Sequence, residues 1–144
     1  MGSEGGGSEQ ARVLFICIGN SCRSQMAEAI ARHIAADVME VESAGISPLG
    51  YVAPQTLATL QQNGIRAEGH YSKGIDDAMM IFAPQIIVNM SGRRLEGRFD
   101  GTEMLDWEIE DPFGDGSATY QTVYEKIEKK VKALAEELKK GKRG

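Results

Sequence analysis

The sequence predicts an α/β fold: a doubly wound, three-layer domain in which a four-stranded parallel sheet carries helices on both faces. Two observations support this prediction. Short, largely apolar runs at residues 12–16 and 86–90 are typical of strands buried on both faces of a parallel sheet. Between and after these runs, apolar residues recur at steps of three and four, as in helices that pack on a sheet.

The first half of the chain is expected to supply two strands and two helices. The run at residues 12–16 ends at Cys17 and a Gly-Asn-Ser turn, and helical spacing then predicts a helix from Cys22 to Ala36. Residues 39–43 alternate apolar or small residues with glutamates, so this strand should expose one face and lie at an edge of the sheet. A second helix is predicted over residues 53–63.

The second half is expected to complete the sheet and to end in a helix. Residues 86–90 predict a second central strand, and residues 104–107 predict a short fourth strand. The clearest helix follows, because its apolar residues form one stripe at steps of three and four: Val123, Ile127, Val131, Leu134 and Leu138. A phosphate-binding loop is expected after the first strand, where such folds bind ligands.

The composition favours one globular domain. The chain has 144 residues, of which 42% are hydrophobic and 26% charged, so it can bury a sizeable core. Residues 1–10 are rich in Gly, Ser and Glu and lack the apolar stretch of a signal peptide, so we interpret them as a disordered leader or tag. A single domain is expected over residues 11–140, followed by a tail over residues 141–144.

Charge and cysteine content exclude several classes of function. The net charge of -5 is spread along the chain, so we expect neither a basic face for nucleic acid nor a basic helix directed to a membrane. No apolar run approaches the roughly 18 residues of a membrane span. Two cysteines are too few for a disulfide framework or, without several histidines, for a zinc site. We therefore predict a cytoplasmic protein with no cofactor.

The most informative segment is residues 17–24, Cys-Ile-Gly-Asn-Ser-Cys-Arg-Ser, between the first strand and the first helix. The spacing from Cys17 to Arg23 allows a tight loop whose N–H groups surround a tetrahedral anion at a helix N-terminus. The same field favours the thiolate form of Cys17, which can attack phosphorus. The Arg23 guanidinium can hold two oxygens of that group. Gly19 and Asn20 suit a loop with left-handed backbone angles.

Over about residues 12–138 the sequence resembles the low-molecular-weight protein tyrosine phosphatases and the thioredoxin-coupled arsenate reductases that share their fold. Two blocks carry the resemblance: residues 13–29, around the cysteine, and Ile-Glu-Asp-Pro-Phe at residues 109–113, followed by Thr-Val-Tyr at residues 122–124. The resemblance implies a cysteine-dependent phosphatase that hydrolyses aryl phosphomonoesters through a cysteinyl-phosphate intermediate. Its expected partners are a phosphorylated protein, above all one carrying phosphotyrosine, or a small aryl phosphate.

The resemblance also implies roles for individual residues. Cys17 is the expected nucleophile, Arg23 holds the phosphoryl oxygens, and Asp111 acts first as general acid and then as the base that activates water. Ser24 is expected to donate a hydrogen bond to the thiolate, and Phe113 to flank the substrate ring. The remaining substrate-binding residues are expected to be Ile18, Gly19, Asn20, Ser21 and Cys22, with Ser43 and His70 supporting the loop.

An arsenate reductase of the same fold is the first alternative. Ser21, Gln25 and Met26 match the reductases better than the phosphatases. Thioredoxin-coupled reductases, however, use two further cysteines beyond the third strand, and this chain has no cysteine after Cys22. Reduction would therefore depend on small thiols or on Cys22 itself.

A non-catalytic module that binds an oxyanion or a phosphopeptide is the second alternative. Asp111 argues against it, because binding alone needs no acid opposite the nucleophile. The spacing of Cys17 and Cys22 also motivates the hypothesis that mild oxidation joins them in a reversible disulfide.

Some of the reductases hold a potassium ion near positions that match Asn20, Glu28 and Ser43. In this chain Lys73 stands where the acidic partner is expected. We therefore predict no metal at this site.

Overall fold

The computed structural model describes residues 10–67, 69–95, 99 and 101–141. The predicted leader and tail lie outside these residues, apart from Gln10 and Gly141. In chain order the elements are β1 (Ala11–Cys17), α1 (Arg23–Ile34), β2 (Met39–Gly45), α2 (Pro54–Gln62), α3 (Ile75–Ile81), β3 (Ile86–Asn89), β4 (Glu103–Asp106) and α4 (Ser117–Lys139).

The four strands form one parallel sheet in the order β2-β1-β3-β4. β1 lies between its two neighbours, so Val13 pairs with Val41 on one side and with Ile86 on the other. The chain thus proceeds to one side of β1 and then crosses to the other, which makes the carboxyl end of β1 a topological switch point. The predicted fold class is confirmed, and β2 is an edge strand as expected.

Helices cover both faces of the sheet. Val13 and Phe15 point into the larger core, which also contains buried side chains of α1, α2 and α4. Leu14 and Ile16 point to the opposite face, where they pack with Ala78 of α3. Among the described residues, no helix is both long and apolar enough to cross a membrane.

The structure differs from the sequence-based expectations mainly at α3. This helix has seven residues, and its inward-facing apolar residues, Ile75, Ala78 and Met79, span little more than one turn, too short a pattern to predict a helix from the sequence. β4 begins at Glu103, one residue earlier than predicted, and is mostly exposed. α1 begins at Arg23 and ends at Ile34, slightly inside its predicted bounds.

The first turns of α1 are unusual because they bury polar side chains. Residues 23–31 are all buried, and they include Arg23, Ser24, Gln25 and Glu28. Buried polar groups require hydrogen-bond partners inside the protein. The region around the start of α1 must therefore supply a dense set of such partners.

Candidate active site

Residues 17–24, here called the cysteine loop, turn their carbonyl oxygens outward. Surrounding groups donate to the carbonyls of residues 17–21 at 2.8–3.2 Å. In a trans peptide the following N–H points opposite to the C=O, so the N–H groups of residues 18–22 turn toward the centre of the loop. Such inward N–H groups form an anion-binding concavity. The outer donors are the backbone N–H groups of Ile46, Ser47, Leu49 and Ala53 and the side chains of Gln25, Thr56 and Ser72.

The loop is closely packed against its surroundings. Asn20 has the left-handed backbone predicted for it, with φ of 48°, and its side chain is fully buried. Gly19, by contrast, is not left-handed, and the prediction for it was wrong. Its glycine is needed for space, because a Cβ there would lie 2.9 Å from Cγ of Leu49. A Cβ on Gly45 would lie 2.7 Å from both the N of Asn20 and the O of Ile18.

Arg23 is held by two backbone carbonyls from distant parts of the chain. Its Nη1 donates to the carbonyls of Met90 at 2.5 Å and Ile109 at 3.0 Å. Its Nε is buried and has no hydrogen-bond partner among the described residues. A buried donor without a partner is costly, and an anion in the loop would satisfy it. The Oγ of Ser21 is likewise buried, with no partner in the described part of the chain.

A cavity of about 240 Å³ opens above the loop. Nη2 of Arg23 lies 3.6 Å from Oδ2 of Asp111 on its wall. Phe113, 47% exposed, and Leu49, 46% exposed, flank the mouth. The cavity thus brings together most of the predicted site residues, and its lining consists of Cys17, Ile18, Gly19, Ser21, Cys22, Arg23, Ser47, Leu49, Asp111 and Phe113.

The other predicted residues lie behind the loop in a buried hydrogen-bond network. Oγ of Ser24 lies 2.9 Å from Sγ of Cys17. Nδ2 of Asn20 donates to Ser24 at 2.8 Å and to Ser43 at 3.0 Å. Ser43 in turn donates to Oε1 of Glu28 at 2.5 Å. The network links the sulfur to a buried carboxylate through three side chains.

His70 contacts the loop through Gln25. Nε2 of Gln25 donates to the carbonyls of Asn20 at 3.1 Å and Tyr71 at 3.0 Å. Its Oε1 therefore accepts from Nδ1 of His70, 3.0 Å away, which assigns the ring proton to Nδ1. Burial lowers the pKa of His70, and the nearby Glu28 carboxylate opposes this without cancelling it.

Cys22 is held on the far side of the loop from this network. Its Sγ lies 3.2 Å from the hydroxyl oxygen of Tyr120 on α4. Burial raises the pKa of the Cys22 thiol, and the Tyr120 hydrogen bond only partly offsets that effect. Burial likewise raises the pKa of Tyr120. Cys22 is therefore disfavoured as a thiolate.

Sequence reasoning missed several of these partners. The carbonyls that hold Arg23 are invisible in a sequence, because every residue has a carbonyl. Tyr120 was not singled out from the sequence, and Lys73 was considered only for a metal site and not as a hydrogen-bond donor to Asn20. For a metal, the described residues contain no group of three or more His, Cys, Asp or Glu side chains that could hold one.

Comparisons with known proteins identify the family of the chain. The family model described as low molecular weight phosphotyrosine protein phosphatase matches residues 12–143. An arsenate reductase of Staphylococcus aureus is 34% identical over 117 residues, which cover 80% of this chain and 88% of the reductase. A protein-arginine-phosphatase of Bacillus subtilis is 32% identical over 149 residues, which cover 91% of this chain and 99% of the phosphatase.

Solved structures show the same fold. An arsenate reductase in the phosphate binding state superposes with a TM-score of 0.81 at 28% sequence identity. The match covers 90% of this chain and 99% of the reductase. With a four-stranded parallel sheet and a cysteine loop after β1, the chain belongs to the low-molecular-weight phosphotyrosine protein phosphatase family, in which phosphatases and arsenate reductases share one fold.

Proposed function

We propose that this protein is a cysteine-dependent phosphatase that hydrolyses aryl phosphomonoesters, with protein phosphotyrosine as its substrate. The observation that carries the proposal is the common cavity of Cys17, Arg23 and Asp111. Phosphoryl transfer from an ester requires a nucleophile, a cation that holds the phosphoryl oxygens and a carboxylic acid. Within the described part of the chain, the buried Nε of Arg23 has no partner and is available to such an oxygen.

In the first step, the Cys17 thiolate attacks phosphorus and an S–P bond forms while the P–O bond to the aryl group breaks. Asp111 gives its proton to the departing phenolate oxygen. The inward N–H groups of the cysteine loop and the Arg23 guanidinium hold the other three oxygens as charge shifts among them. The phenol leaves, and a cysteinyl-phosphate remains.

In the second step, the Asp111 carboxylate takes a proton from water, whose oxygen attacks phosphorus. The S–P bond breaks, and inorganic phosphate is released. Ser24, 2.9 Å from the sulfur, donates a hydrogen bond to the thiolate as it leaves. The exposed side chains of Phe113 and Leu49 at the cavity mouth can lie against the substrate ring when the substrate binds, before the first step.

Arsenate reduction is the second candidate, and similarity to arsenate reductases favours it. Reduction of arsenate to arsenite requires two electrons, which are supplied when the nucleophilic thiol and a second thiol are joined in a disulfide. The chain has only one other cysteine. Cys22 lies against Tyr120, and its raised pKa disfavours the thiolate. These features support hydrolysis as the main activity and leave reduction dependent on an external thiol.

Side-by-side assays separate the candidates. Purified protein is given p-nitrophenyl phosphate, a phosphotyrosine peptide and a phosphoarginine peptide, and in parallel arsenate with thioredoxin or with glutathione and glutaredoxin. We expect turnover of p-nitrophenyl phosphate and the phosphotyrosine peptide that disappears in Cys17→Ser and persists in Cys22→Ser. Faster turnover of the phosphoarginine peptide than of the phosphotyrosine peptide would contradict the proposed substrate. Efficient arsenate reduction without ester hydrolysis would contradict the proposed reaction.

The same samples test the binding-module alternative. If the protein binds inorganic phosphate by calorimetry but turns over neither the esters nor arsenate, it is a binding module and the proposal fails. Loss of ester turnover in Cys17→Ser together with retained phosphate binding would support catalysis at this sulfur.

A further inference from the structure

Residues 70–73 form a clamp on the outer side of the cysteine loop. Oγ of Ser72 donates to the carbonyl of Gly19 at 3.1 Å, and the backbone N of Lys73 donates to Oδ1 of Asn20 at 2.8 Å. The carbonyl of Tyr71 accepts from Gln25, whose other amide atom meets His70. Every residue of this short segment thus contacts the loop or the first turn of α1.

The clamp is attached to the edge strand β2 by an ion pair whose lysine is buried and whose glutamate, Glu42, is 24% exposed and also lies 3.5 Å from Nη2 of Arg32. Nζ of Lys73 lies 2.9 Å from Oε1 of Glu42, and the Lys73 side chain is only 4% exposed. The same ammonium lies 4.5 Å from the centre of the Tyr71 ring. The backbone N of Gly45 donates to the carbonyl of Lys73 at 2.9 Å. A charge is rarely buried without a specific partner, so Glu42 is the reason Lys73 can lie here.

The Lys73 N–H determines the direction of the hydrogen bonds that end at the sulfur. A backbone N–H can only donate, so the Asn20 atom that faces it must be the acceptor Oδ1. Nδ2 of Asn20 then donates both of its protons, to Ser24 and to Ser43. Because Ser24 accepts from Asn20, its own proton remains for Sγ of Cys17.

The hydrogen bonds that run from Asn20 through Ser43 to Glu28 have a direction consistent with this orientation of Asn20. Ser43 accepts from Asn20 and donates to the Glu28 carboxylate, which can only accept when ionised. The amide of Asn20 is therefore oriented by a backbone donor at one end and a carboxylate at the other.

We propose that the Lys73–Glu42 ion pair positions the clamp so that Ser24 donates its hydrogen bond to Cys17, and that Lys73 and Glu42 are positioning residues for release of phosphate from the sulfur. Weakening the pair lets the Lys73 N–H move away from Asn20, so Ser24 loses its imposed orientation. The thiolate then becomes a poorer leaving group in the second step. The kinetic part of this inference rests on the proposed function.

The test uses two variants that keep side-chain shape but remove charge, Glu42→Gln and Lys73→Met, together with the double variant. With p-nitrophenyl phosphate we expect kcat to fall by about 2- to 30-fold, the range for coupling through packed networks. KM should fall with it, and the pre-steady-state burst of p-nitrophenolate should grow because cysteinyl-phosphate accumulates. The double variant should lose no more than the stronger single variant, since both act on one pair.

A purely structural role predicts a different result. Partial misfolding lowers the active fraction, so kcat and the burst would fall while KM stays constant, and that outcome would overturn the inference. Wild-type kinetics in both single variants would overturn it too. Lys132→Met is the matched control, because Lys132 and Glu128 form an exposed pair 3.9 Å apart on α4.

A readout that needs no turnover separates this inference from the proposed function. In the wild-type protein both side-chain amide protons of Asn20 are donated and should exchange slowly with water in an NMR measurement. Exchange should accelerate by about 2- to 30-fold in Glu42→Gln. If the wild-type protein turns over no ester but exchange still accelerates in Glu42→Gln, the proposed function is wrong and the positioning role stands. Unchanged exchange would overturn the positioning role whatever the activity.

Discussion

Nη2 of the buried Arg23 lies 3.6 Å from Oδ2 of Asp111, whose side chain is 45% exposed. One carboxylate therefore faces both the cavity and the solvent. In the proposed mechanism this group gives a proton to the leaving group and then takes one from the attacking water, and its exposure gives that water access to it. The backbone N of Phe113 donates to Oδ1 of Asp111 at 3.1 Å and limits the rotation of that carboxylate.

Replacement of Asp111 should affect substrates according to their leaving groups. We expect Asp111→Asn to lower kcat/KM for a phosphotyrosine peptide by about 10²- to 10⁴-fold, the usual contribution of a general acid. The loss for p-nitrophenyl phosphate should be smaller, because p-nitrophenolate leaves without a proton. Steady-state kinetics on both substrates check this, with Glu110→Gln as the neighbouring control. Equal losses on both substrates would contradict the assigned role.

Replacement of Arg23 by lysine should weaken anion binding although the charge is kept. A lysine ammonium cannot supply the Nε donor and the bonds to Met90 and Ile109 at the same time. We expect the inhibition constant of inorganic phosphate to rise by at least about 10-fold, since hydrogen bonds to charged groups contribute about 1.5–3 kcal/mol. Arg94→Lys, at an exposed position, is the control. A phosphate affinity unchanged in Arg23→Lys would count against oxyanion binding in the loop.

A single methyl group at Gly45 should disturb the loop. The Cβ of Gly45→Ala would lie 2.7 Å from two backbone atoms, so the cysteine loop must shift. We expect the free energy of unfolding to fall by about 1–3 kcal/mol, with a parallel loss of activity. Urea unfolding measures the first effect. The matched control is Gly74→Ala, whose Cβ would meet only the ring of Pro48, with Cγ at 3.6 Å and Cδ at 3.8 Å.

The buried His70 should make stability depend on pH. Burial holds its pKa below the ordinary value of 6.5, so as pH falls the unfolded chain takes up this proton before the folded chain does. The free energy of unfolding should therefore decrease as pH falls through 6.5. His70→Gln should reduce that dependence, as measured by urea unfolding between about pH 7.5 and about pH 5.5. His33→Gln, at an exposed position on α1, should keep the wild-type dependence.

The sequence predicts the part of this site that follows from local pattern. The apolar run ending at Cys17, the five residues to Arg23 and the helical spacing after it predict a strand, a tight loop and a helix, and the structure has all three. The resemblance to a known family led to Asp111 and Phe113, which share the cavity with the loop although nearly a hundred residues separate them from it.

Features set by long-range packing could not be predicted. Gly19 was expected to be left-handed, but its requirement is space for Leu49, which depends on the path of a later loop. The role of Lys73 comes from its backbone N–H and from burial beside Glu42, and neither is visible in residue type. α3 was not predicted because its apolar residues at steps of three and four, Ile75, Ala78 and Met79, cover little more than one turn.

The two carbonyls that hold Arg23 lie 67 and 86 residues further along the chain. During synthesis, the complete Cys-x5-Arg motif leaves the ribosome well before either acceptor exists. A nascent chain at that stage contains Cys17, but the guanidinium of Arg23 is not yet held by the carbonyls of Met90 and Ile109. The proposed oxyanion site is therefore complete only after the carboxyl-terminal half has been translated and has folded against the loop.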